Sequence, residues 1–240
     1  GFAGNFMTAL NPQITKSFAA NDLAYSFSLT ERGSRFSFYI MFLFALPLYL
    51  ETDFILTLWL KQYPAYTVNF VRLALILSLS DILSNTLINL QAATGKIRNY
   101  QLAVGSTQLL NFPLSYLTLK LGFLPESTII VAIFISLCCM VLRLLFLRKT
   151  VGFSIRSFLK NVYLNVINVA FFSSIIPFAT HHFMSYGWVR FITTCCVCIV
   201  CSTIVILFIG CNYSERQFIL SKIPFVRNKL SRCKESRQNS

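Results

Sequence analysis

Charge is what this sequence lacks most. Only 12% of its 240 residues are charged, about half the fraction of an ordinary soluble domain. That is too little to cover a water-facing surface. Acidic residues are scarcest, at 8 against 21 Lys and Arg. The chain also contains no hydrolase triad, no glycine-rich phosphate loop and no zinc signature. No enzyme is therefore expected, and no cofactor or metal. The opening Gly1-Phe2-Ala3-Gly4 has no basic n-region, so it is not expected to be a signal peptide. It reads as a start partway through a helix, so a fragment of a longer protein is expected.

What is present points to lipid. The chain is 55% hydrophobic with 24 Phe, and its mean hydropathy is +0.64. Charges fall in short clusters between long uncharged runs, the distribution that bilayer spans produce. The net charge of +13 does not call for a nucleic acid, because the cations sit at span ends and in the C-terminal tail. Seven of the 8 cysteines lie in or beside apolar runs, so a disulfide framework is not expected. Cys195, Cys198 and Cys201 form overlapping C-x-x-C spacings without a nearby His or carboxylate. They read as small packing residues rather than metal ligands.

The resulting expectation is an all-α integral membrane protein. Residues 1–14 read as the end of a transmembrane helix and 15–35 as a cytoplasmic loop. Residues 36–147 hold four spans: Phe36–Leu50, Val68–Leu90, Tyr100–Leu119 and Ser127–Leu147. An outer interfacial segment at 51–65 carries Trp59 as an anchor. Arg143 lies close enough to the end of its span to snorkel. Residues 148–160 read as an amphipathic surface segment, 161–213 as two more spans joined by a loop containing His181 and His182, and 214–240 as a basic cytoplasmic tail. Of the 21 Lys and Arg, only Lys61, Lys120, Arg190 and Arg72 fall on one side of this arrangement. The positive-inside rule then places the first loop and the C-terminus in the cytoplasm.

Polar residues inside the spans mark candidate function. Asp81 falls near mid-bilayer, where a carboxyl costs roughly 2.5–3.5 kcal/mol and must face protein or water. Ser78, Asp81, Asn85 and Asn89 share one helical face. Arg72 stands two and a half turns away on the opposite face. Gln108 and Asn111 continue the pattern on the next span, with Gln101 and Ser115 in the same arc. Two consecutive polar stripes suggest a shared hydrophilic cavity, with interhelical hydrogen bonding as the alternative. Asn161, Asn165 and Asn168 form a third stripe, read as helix packing. A polytopic protein with a polar intramembrane site is typical of a transporter.

Several motifs carry a resemblance. Asn11-Pro12-Gln13-Ile14-Thr15, followed by Ala19-Ala20-Asn21-Asp22, resembles the Pro-x-Ile-Thr and Ala-x-Gly-Asp pattern of bacterial polysaccharide-export flippases, with Asn21 in place of the Gly. These belong to the multidrug/oligosaccharidyl-lipid/polysaccharide exporter superfamily. The segment from Glu51 to Leu60 is similar to their outer interfacial segment. Gln91 to Ile97, with Gly95, Lys96, Tyr100 and Gln101, is similar to their cytoplasmic turn, and Pro113 to Leu117 with Gly122 also fits. The resemblance covers residues 1 to about 150, and the last two spans by hydropathy alone.

The resemblance implies the C-terminal bundle of a two-bundle, alternating-access transporter of about fourteen helices, in the bacterial inner membrane. It also implies a missing N-terminal half and an undecaprenyl-diphosphate-linked oligosaccharide as substrate. Membrane lipids and a coupling ion, H+ or Na+, are the further expected partners. On this reading Asp81, Asn85, Asn89, Ser78, Gln108, Asn111 and Arg72 line the cavity, and Gly95 and Lys96 form the cytoplasmic turn. A multidrug or cation antiporter of the same superfamily is the first alternative. A membrane-bound glycosyltransferase or polymerase is the second, and the absence of a large outer loop weighs against it.

Overall fold

A chain this apolar must satisfy its backbone hydrogen bonds within itself, and helices do so segment by segment. The computed structural model describes residues 2–212 and 215–217. Among the described residues it is all-helical with no strand. Ten α-helices follow in order: α1 (Phe2–Ala19), α2 (Leu23–Leu50), α3 (Thr52–Leu60), α4 (Thr67–Ala93), α5 (Arg98–Leu109), α6 (Asn111–Lys120), α7 (Ser127–Val151), α8 (Ile155–Phe158), α9 (Asn165–Phe183) and α10 (Trp188–Val205). A wider π-helical stretch, Leu159–Leu164, fuses α8 to α9, and another, Ile206–Gly210, extends α10. Five of these rods are long and apolar enough to cross a membrane: Leu23–Leu50, Thr67–Ala93, Ser127–Val151, Ile155–Phe183 and Trp188–Gly210. The chain is a multi-pass α-helical membrane protein.

Three stretches depart from the sequence expectation. Residues 15–35, expected as a loop, are helical on both sides of a tight turn at Ala20–Asp22. Lys16, Asn21, Asp22 and Arg32 are exposed, but one stripe of polar residues faces protein. Ser26, Thr30 and Ser34 recur every four residues and are fully buried. Ser26 Oγ donates to the Ile14 carbonyl at 3.4 Å, and Ser34 Oγ to the Leu83 carbonyl at 3.0 Å. Gly33 lies in the same stripe, where an added Cβ would come within 2.9 Å of Thr86. Small residues thus let α1, α2 and α4 approach closely.

The second departure is Tyr100–Leu119, expected as one clean span. It is two consecutive helices, broken at Leu110. Pro113 has no N–H to give to residue 109, and the Leu110 N–H bonds back only three residues, to Thr107 at 3.2 Å. The two helices, 12 and 10 residues long, rise about 18 and 15 Å at 1.5 Å per residue. The third departure is 148–160. The αL glycine Gly152 (φ 73°) caps α7, and the chain turns straight into the next crossing. Phe153 and Phe158 are core residues, 1% and 0% exposed, not surface anchors.

The rods pack in a row, α5–α6 against α7, α7 against α4, α4 against α2, and α2 against α9 and α10, with α1 lying across α2 and α4. Polar clasps close both ends. At one end the Glu51 carboxylate is wholly buried. It accepts from Arg190 Nη2 at 3.1 Å, and His181 Nε2 lies 3.8 Å away. His181 and His182 therefore sit in the last turn of α9 rather than in a loop. Arg72 pairs with Asp53 at 2.9 Å on the same end.

At the opposite end Arg35, 4% exposed, pairs with Glu215 at 2.8 Å. The widened turn frees the Gly210 carbonyl, which accepts from Arg35 Nη1 at 3.2 Å and Tyr39 Oη at 3.1 Å. Glu31 accepts from Ser157 and Asn161, and Tyr39 Oη also donates to Asn165 Oδ1 at 2.7 Å. Asn161 and Asn165 thus serve packing. Of the expected basic tail, only Glu215 to Gln217 lie within the described residues.

Two outcomes follow. In a background with native cysteines replaced, Lys61→Cys and Ser185→Cys should label from one side of the membrane, and Lys96→Cys and Ser154→Cys from the other. Labelling of positions 61 and 96 from the same side would break the order of crossings. Arg190→Ala strands the buried Glu51 carboxylate and should cost about 3–5 kcal/mol, read as thermal unfolding in detergent. Glu51→Gln with Arg190→Met should recover much of that loss. No recovery would mean that the ion pair is not the cause.

Candidate functional site

α4 runs between α2 and α7, and its two flanks carry different chemistry. The α2 flank is apolar or hydroxylated and buried. The α7 flank presents Asp81, whose Oδ1 accepts a hydrogen bond from Ser136 Oγ of α7. Beside this pair is a cleft of about 250 Å³, walled by Asp81, Gln108, Asn111, Ser136, Cys139 and Arg143. At roughly 30 Å³ per water, it holds several waters or a small polar group. The cleft thus lies where α4, the α5–α6 break and α7 converge. Leu110, beside Asn111, interrupts the helix at this level.

Arg143 changes the electrostatics of the site. Expected to snorkel to the surface, it is instead 7% exposed. Its Nε donates to Tyr100 Oη at 3.3 Å, and the guanidinium lines the same cleft as Asp81. Among the described residues no ion pair joins the two. The cleft therefore combines an acid, a base, two amides and a hydroxyl, apart enough for a polar guest to sit among them. Such a set can bind hydroxyls through Asp81, Gln108 and Asn111 and an anion through Arg143.

The structure gathers only part of the expected set. Asp81, Gln108 and Asn111 come together. Ser78 and Asn85 are exposed on α4 and do not line the cleft. Asn89 turns to α1 and donates to Asn11 Oδ1. Arg72 belongs to the end clasp with Asp53 and also donates to the Tyr49 carbonyl at 3.2 Å, so it is removed from the cavity. Gly95, at φ 70°, makes the tight turn after α4. There Gln91 Nε2 donates to the Lys96 carbonyl at 3.0 Å.

The reading of the sequence missed Ser136, Arg143 and Tyr100. A signal existed. Ser136 and Arg143 are seven residues apart, and Cys139 and Met140 lie between them on the same face. Among the described residues no group of three His, Cys, Asp or Glu could hold a metal ion. The C-x-x-C cysteines sit along α10, with Cys198 fully buried in the main core.

A hydrated cleft has a direct test. In a cysteine-replaced background, Ser136→Cys should react with a small charged methanethiosulfonate. Leu137→Cys, on the exposed apolar side of α7, should not. An inert Ser136→Cys would mean that water does not reach Asp81.

Comparison of the chain with protein-family profiles, curated proteins and solved structures finds no match.

Proposed function

We propose that this chain is the C-terminal bundle of a flippase for undecaprenyl-diphosphate-linked oligosaccharide, serving surface polysaccharide biosynthesis. The observation that carries the reading is the intramembrane cleft, where Asp81, Gln108 and Asn111 face Arg143. A translocated headgroup made of sugars and phosphates needs hydroxyl partners and a cation at mid-membrane, and this cleft has both. Asn21 adds support. Its φ of 61° is the left-handed conformation that glycine adopts most easily, and the pattern it resembles carries Gly at that position.

In this reading the missing N-terminal half supplies the facing wall, and the two bundles rock in the inner membrane to expose the cleft to each side in turn. The Lys96 end and the C-terminus face the cytoplasm. Arg143 takes the diphosphate role, since Arg72 is occupied by Asp53. Asp81 either binds sugar hydroxyls or couples H+ or Na+ to the motion. A guanidinium in the cleft disfavours a cation antiporter.

The test uses the full-length parent protein in a flippase-deficient strain, with surface polysaccharide as readout. Asp81→Leu should abolish export at normal membrane abundance. Asp81→Asn separates the roles, abolishing export if the carboxyl couples an ion and retaining much of it if the group only hydrogen-bonds. Full export in both variants would show that the cleft has no part in transport.

A further inference from the structure

A second cleft lies on the same α5–α7 seam, at the Lys96 end. Its volume is about 510 Å³, within the range of small-molecule sites. Lys96, Arg98 and Lys149 line it, with Tyr100 and Phe146 among its apolar walls. The two rings meet edge to face at 6.0 Å. The three cations are exposed, and no ion pair engages them among the described residues. The N-terminus of α5 opens here, and its first-turn amides have no acceptor within the helix. A basic membrane face alone accounts for the charges. It does not account for a concave site that gathers three of them, from the α4–α5 turn, the start of α5 and α7, beside aromatic rings.

The flank of this cleft is apolar and uncovered. Ile97, which lines it, is 42% exposed, and Leu145, 48% exposed, stands one turn before Lys149 on α7. An occupant that satisfies both surfaces is amphiphilic, with an anionic head among the cations and a hydrocarbon chain along α5 and α7. We propose that this cleft binds the phosphate-ester headgroup of a lipid. Phosphate fits better than carboxylate, because three separate cations and a row of amides can serve several oxygens at once.

The two clefts share a partition. Tyr100 lines the basic cleft, Arg143 lines the intramembrane one, and the two are hydrogen-bonded at 3.3 Å. Arg143 lies six residues before Lys149, about 9 Å along α7. Arg143 is thus the next cation inward for a phosphate held at the Lys96 end. That such a headgroup moves on into the inner cleft rests on the transport reading; the binding site itself does not.

The experiment measures binding to the purified chain in phosphatidylcholine nanodiscs, with farnesyl diphosphate as probe. Lys96 contributes only backbone atoms to hydrogen bonds in its turn, so Lys96→Gln leaves the fold intact. It should weaken binding about fivefold, and Lys96→Gln with Arg98→Gln and Lys149→Gln on the order of a hundredfold, at about fivefold per cation. The control is Arg156→Gln with Lys160→Gln, which removes two cations from a separate, mostly apolar depression at the same end of the bundle. It should change binding less than twofold. Equal weakening by the control would show general surface charge and overturn the site, as would unchanged binding in the triple variant or no binding by the wild type. Repeating the titration in phosphatidylglycerol nanodiscs separates the sources. Competition by bulk phosphatidylglycerol supports a phospholipid headgroup site and leaves the flippase reading without an entry point here. Persistent binding of the prenyl diphosphate supports selection of a lipid-linked diphosphate.

Discussion

A charged group inside hydrocarbon must be paired, hydrogen-bonded or hydrated, and the arrangement of this bundle follows from how each charge meets that demand. Glu51 is met by Arg190, Arg35 by Glu215, and Arg72 by Asp53. Each pair joins elements far apart in sequence or fixes an end of a span. The two clasps, Glu51 at the C-terminal end of α2 and Arg35 near its middle, tie α2 to Arg190 of α10 and to Glu215 beyond it. Asp81 and Arg143 meet the demand differently. They lean on neutral partners, Ser136 and Tyr100, and line one cleft. Glu51, Arg35 and Arg72 are held in ion pairs, whereas among the described residues no ion pair joins the carboxylate and the guanidinium that share the cleft.

The same contrast separates two kinds of polar stripe. Ser26, Thr30 and Ser34 on α2 are fully buried against neighbouring helices, and their hydroxyls are used up in contacts with α1, α4 and their own helix. Gln108 and Asn111 instead open onto the cleft. Hydroxyls that reach a backbone carbonyl at close range glue helices together. Longer amides facing a gap remain available to a guest.

Hydropathy made the crossings readable, because a run of uncharged residues has few other uses. It also located Asp81, since a lone carboxyl in such a run stands out. It failed where polar residues were buried by protein. The stretch 15–35 looks like a loop by composition, yet its four-residue recurrence of Ser and Thr is a helical signal. Arg143 looked harmless by its distance from the span end, whereas its face on α7 decides its surroundings. The break at Leu110 was written in Pro113, which a count of apolar residues does not register. Which stripe faces which neighbour depends on the packing order of the rods, and no single helix encodes that.

The hydroxyl stripe of α2 bears on how the protein is made. This segment has the lowest hydropathy of the five long rods, 1.3 against 1.6 to 2.8. Alone in lipid it would expose Ser26, Thr30, Ser34 and Arg35, none of which hydrocarbon can solvate. Ser26 and Ser34 are met by carbonyls of α1 and α4, and Arg35 by the Gly210 carbonyl and Glu215. Placing this face in hydrocarbon is therefore linked to the packing of α2 against its neighbours. A bulky residue at Gly33, where even a Cβ would come within 2.9 Å of Thr86, forces α2 and α4 apart and uncovers these hydroxyls.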